Sequence, residues 1–186
     1  MLVSVNWQAI ASGVPAGTFL KVRAEAAARV WTDAEQADFA RTFGIPDAGG
    51  LFVLADDISE RSPNSPDMGF AELSENQPTK TPVGLLSQIG WISGAAVYIR
   101  SSDGEVWVSD PDCDTEYELA NKDVSSLAYL LYMIEAEKPR PEERPDPYDW
   151  RDAEAIIRED ITAWDPLPFA DSGNFWDRYF DSYHLY

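Results

Sequence analysis

Asp110, Asp112, Asp114, Glu116 and Glu118 alternate along one short segment, and this is the most chemically suggestive spacing in the chain. In an extended backbone, alternate residues point to one side, so the five carboxylates would present hard oxygen ligands together, as Ca²⁺ requires. The calcium-loop template does not fit, however. Counting Asp110 as the first position, the sixth is Thr115 where a glycine is needed, and the twelfth is Asn121 where a bidentate glutamate is needed. Two other readings of the segment remain: a solvated edge whose charges block pairing with another sheet, or an acidic face that docks a basic partner. Trp107 lies just before it and could anchor such a contact.

Other catalytic chemistries find little support. The only histidine, His184, lies in the terminal SYHLY, and the only cysteine, Cys113, sits among carboxylates that disfavour a thiolate. No glycine-rich phosphate cradle, CxxC pair or HExxH motif is present. A carboxylate pair for glycoside hydrolysis cannot be singled out among 33 acids. The residues point to no catalysis, no cofactor and no metal.

The elements that would position these residues can be read from periodicity. Thr32 and Glu35 have capping-box spacing for a helix that runs to about Phe43. Gly44 suits its left-handed terminus, and Pro46 follows where the helix cannot continue. Leu51 to Ala55 reads as a short strand, and residues 56–82 as polar loops. Leu85 to Ile92, Ala95 to Arg100 and Glu105 to Ser109 read as strands, the last two joined by a hairpin through Asp103-Gly104. Glu116 to Leu119 is a further strand, and Asp123 caps a helix from Val124 to about Glu137. A Pro-rich connection spans residues 138–149. Helices are predicted over Trp150 to Trp164 and from Asn174 to about Phe180, and their aromatic side chains require them to dock back on the sheet.

With 186 residues, 45% of them hydrophobic, one domain over residues 1–186 is expected, with a core from about 30 to 138 and a helical extension over 150–186. The fold class is α+β, a twisted, mostly antiparallel sheet with surrounding helices. The formal charge is −19, which opposes both nucleic acid and anionic membrane and favours a basic protein partner. Residues 1–93 carry net −5, whereas residues 94–186 carry 22 carboxylates against 8 cations, net −14. The opening MLVSVNWQAIASG lacks the basic and apolar regions of a secretion signal, so a cytoplasmic protein is expected.

The order of motifs resembles the SUKH superfamily. FARTFGIP is followed by Ile89-Gly90, the strand AAVYIR, the Asp103-Gly104 turn, EVWV, and a strand leading through Asn121 into the helix after Asp123. Trp164-Asp165-Pro166 and Asn174-Phe175-Trp176 resemble the ending of its fourth subgroup, although Asn121-Lys122-Asp123 replaces a more usual Asn-Ser-Ser-like cap. The resemblance implies an immunity protein of a bacterial polymorphic toxin system, which binds a cognate toxin encoded beside it. It also implies structural roles for Gly44, Pro46, Gly90, Gly104 and Trp176. Toxin domains of the nuclease or nucleobase deaminase class have basic grooves. The contact face expected from this reading comprises Trp107, Asp110, Asp112, Asp114, Glu116 and Glu118. The alternative is a regulatory or scaffolding module of the same fold acting on an endogenous protein.

Overall fold

The computed structural model describes residues 2–60, 77–111, 116–140 and 145–181. In chain order the elements are α1 (Trp7–Gly13), β1 (Phe19–Leu20), α2 (Ala24–Val30), α3 (Ala34–Thr42), β2 (Ile45–Pro46), β3 (Phe52–Leu54), β4 (Thr79–Thr81) and β5 (Gly84–Ile92). They continue with β6 (Ala95–Arg100), β7 (Val106–Ser109), β8 (Glu118–Asn121), α4 (Val124–Glu137), α5 (Pro147–Thr162), a 3-10 turn (Leu167–Phe169) and α6 (Phe175–Asp181). The class is α+β. An antiparallel sheet runs β3-β5-β6-β7-β8, with β4 also pairing β5, and β1 and β2 form a separate ribbon.

Strict alternation builds the sheet. In β6, Ala95, Val97 and Ile99 are buried while Ala96, Tyr98 and Arg100 are half-buried, and β7 repeats the pattern with Val106 and Val108 inside. The buried set joins Leu127, Leu130, Leu131 and Ile134 of α4 in one core cluster that also takes in Phe39, Phe52, Ile157 and Trp176. At the β6–β7 turn, the Gly104 N–H donates to the Arg100 carbonyl at 2.8 Å.

Two glycines answer to geometry that no other residue meets. Gly44 has φ +87° just past Phe43, the C-cap of α3, and a Cβ there would lie 2.5 Å from the Leu20 carbonyl oxygen. Gly90 sits where the β5–β6 register shifts, and a Cβ would come within 2.2 Å of the Val53 carbonyl oxygen on β3. Pro46 lies in β2, opposite Phe19.

Several boundaries differ from the sequence reading. Asp33, not Thr32, caps α3: its Oδ1 accepts from Glu35 and Gln36 N–H at 2.8 and 3.0 Å. The Thr32 hydroxyl instead donates to the Ser101 carbonyl at 2.6 Å, so a tertiary contact displaces the local capping box. A strand, β4, occurs inside the stretch read as loops, because β5 is long enough to pair it beside β3. β8 begins at Glu118 rather than Glu116. α5 begins at Pro147, inside the supposed connection, with Asp146 and Asp149 forming a reciprocal capping box. Proline at the first helical position is favourable, since the N–H it lacks would have no intrahelical partner. Of the C-terminal helices, α6 reaches the sheet at β8, while α5 packs on α4. Among the described residues no helix is long and apolar enough to cross a membrane.

Candidate functional site

The described residues of the expected contact face, Trp107, Asp110, Glu116 and Glu118, lie in or beside β7 and β8. Trp107 is half-buried in β7, opposite Tyr98 on one side and Leu119 on the other. The Arg100 guanidinium lies 4.9 Å from its ring centroid. Arg100 is itself tied to Asp103 at 2.9 Å and Glu105 at 2.5 Å. The hydrogen bonds it donates to Asp103 and the charges of both acids raise its pKa above the ordinary guanidinium value.

Of the alternating acids, the three described do not share one strand. Asp110 follows the end of β7, Glu116 is exposed ahead of β8, and Glu118 opens β8; Asp112 and Asp114 lie outside the described residues, as do Cys113 and His184. Arg178 of α6 reaches across to this edge, its Nη2 3.0 Å from Glu118 Oε1 and 3.6 Å from Asp110 Oδ2. Two of the candidate carboxylates therefore hold the C-terminal helix against the sheet. Sixty residues separate Arg178 from Glu118, and no local pattern announces the pair.

A buried polar cluster stands beside that edge. Trp176, fully buried, donates its indole N–H to Asn121 Oδ1 at 3.1 Å. The Asn121 amide donates to Ser126 Oγ at 3.0 Å, and Ser126 Oγ donates to Asp165 Oδ2 at 2.5 Å. Asp165, also fully buried, accepts from the Lys122 N–H at 2.8 Å and the Leu167 N–H at 3.1 Å. Asp123 caps α4 through the Ser126 N–H and accepts from the Ser125 hydroxyl, which in turn accepts from the Val3 N–H at 2.8 Å. Each of these buried groups is thus satisfied, as low-dielectric surroundings require. The Asn-Lys-Asp entry to α4 performs as a cap, and the Trp-Asp-Pro and Asn-Phe-Trp segments close on it.

A concave site of about 550 Å³ opens between the loop Ala48–Leu51, the β5–β6 turn and the end of α4. Trp91, Val53, Ile134 and Tyr179 give it apolar walls, and Glu135 and Lys138 are its charged groups. Ala48 and Ser93, the two non-glycine residues with positive φ among the described residues, both line it. One carboxylate and one ammonium are not the pair of carboxylates that glycoside hydrolysis uses. No group of three or more potential metal ligands occurs among the described residues.

The arrangement defines an α+β protein whose most conspicuous polar residues serve the architecture. The model of the SUKH-4 immunity protein family matches residues 8–182, and the chain belongs to that family. Neither a curated protein nor a solved structure matches it.

Proposed function

We propose that this immunity protein binds and neutralises a cognate toxin domain with a basic surface, of the nuclease or nucleobase deaminase class, in the cytoplasm. Family membership supports an inhibitory partner contact. The observation that carries the basic character of the partner is the charge of residues 94–186, 22 carboxylates against 8 cations, far beyond what internal ion pairs consume. Such an excess steers a cationic partner and competes with the phosphates that its groove would otherwise bind. Binding, not catalysis, is then the activity, with no cofactor required, and nucleic acid and anionic membrane are excluded as partners by like charge.

The test is to co-express the chain with the toxin domain encoded next to it and to titrate the purified pair at increasing salt. Growth protection, and an affinity that falls steeply with ionic strength, are expected. Loss of growth despite expression, or an affinity indifferent to salt, would refute the reading.

A further inference from the structure

The outward face of α5 combines exposed apolar side chains with uncommitted carboxylates. The helix lies on α4, with Ala153, Ile157 and Ile161 buried. At 3.6 residues per turn, Tyr148, Asp152, Ala155 and Glu159 fall on the opposite stripe with Ile156 at its shoulder, and all five are exposed. A helix docked by one face ordinarily turns polar residues outward. Here Tyr148 is 70% exposed and Ile156 45%. Four large hydrophobic side chains stand exposed among the described residues; these are two of them, and a third, Trp164, lies just past the helix's C-cap, Ala163.

The charges on this face are available. The helix's own ion pairs are made by Glu154 and Arg158, the latter also joined to Asp177, and among the described residues Asp152 and Glu159 are exposed with no ion-pair partner. At the β7–β8 edge, by contrast, Arg178 already engages Asp110 and Glu118. Arg151 lies over the Tyr148 ring at 5.9 Å and is the cation on this side of the helix.

We infer that the outward face of α5, centred on Tyr148, Asp152, Ile156 and Glu159, is the surface on which the basic partner docks. The inference rests on the function proposed above and locates it. Charge decides the occupant. A second copy packed through the same face would oppose its own carboxylates across the two-fold axis, and an anionic membrane would be repelled. A cationic protein with an apolar centre satisfies both components: the carboxylates steer and orient it, while Tyr148 and Ile156 supply contacts that exclude water.

The experiment uses the full chain and a catalytically inactive form of the toxin domain encoded beside it, with affinity measured by calorimetry. Tyr148→Ala and Ile156→Ala should each weaken binding about tenfold or more. Asp152→Lys combined with Glu159→Lys should also weaken it at least tenfold and flatten its salt dependence. Glu116→Lys, on the β7–β8 edge, and Leu85→Ala should stay within twofold. All positions are exposed, and unchanged melting curves would show that the fold persists. If the α5 variants bind within twofold of wild type while the wild type binds tightly, the face is wrong and the immunity reading stands. If the wild type does not bind at all, the immunity reading falls with it. If Tyr148→Ala instead turns a sedimenting dimer into a monomer, the face joins copies of the chain, and the inference is overturned.

Discussion

Replacing Asp165 with alanine removes the acceptor of three donors at once: the Lys122 N–H, the Ser126 hydroxyl and the Leu167 N–H. All three belong to the junction of β8, the start of α4 and the 3-10 turn, where water does not reach the fully buried carboxylate. An unmet buried donor costs about 1–3 kcal/mol. Taking the lower bound for each, because the Ser126 hydroxyl can rotate and a buried charge is also removed, gives a loss of about 3 kcal/mol. For a chain of this length that corresponds to a fall in Tm of about 6–12 °C. Urea unfolding followed in parallel by far-ultraviolet circular dichroism and tryptophan fluorescence measures it, with an unchanged m value showing that the two-state comparison is valid. Asp165→Asn retains one carbonyl acceptor and should lose about half as much. A loss below about 1 kcal/mol for the alanine variant would refute the claim that this carboxylate ties the C-terminal segment to the sheet.

Two further perturbations probe the same architecture. Gly90→Ala should destabilise by about 2 kcal/mol or more, since its methyl would meet the Val53 carbonyl of β3 rather than a movable side-chain tip; a melting temperature equal to wild type would show that the strand crossing is looser than described. Acidification should loosen α6: the Gly173 N–H and then Arg158 hold the Asp177 carboxyl below its ordinary value of 3.8. A lowered folded pKa contributes stability that is complete above pH 3.8 and is lost as the pH falls through the folded value. Amide exchange in α6 should accelerate below that point, and Asp177→Asn should show fast exchange already at neutral pH.

The parts legible in sequence are those governed by neighbours in the chain. The β6–β7 hairpin follows from alternation plus Asp103-Gly104, and α4 from Asp123 followed by leucines at helical spacing. Period-two acids from Asp110 to Glu118 specify a face only where the backbone is extended, and of the described ones Asp110 and Glu116 lie outside the strands while Glu118 opens β8. The start of α5 was masked by prolines that read as a connection, although one of them occupies a favoured helical position. The role of Asp165 could not be read locally, because its partners Lys122 and Ser126 lie 43 and 39 residues away. Nor does helical periodicity alone distinguish an outward face that stays wet from one that is later covered, so the apolar component of α5 became visible only with its exposure.

The buried cluster at the start of α4 takes a backbone donor from Val3 and an indole from Trp176, so segments near opposite ends of the fold close on one place. This has a consequence for biosynthesis. A ribosome makes the sheet and α4 well before Asp165 and Trp176 emerge, and until then Asn121, Ser126 and the Lys122 N–H lack their native partners. The fold therefore locks only once residue 176 has emerged, and chains that stop short of it should be handed to proteases in place of accumulating as partly competent fragments.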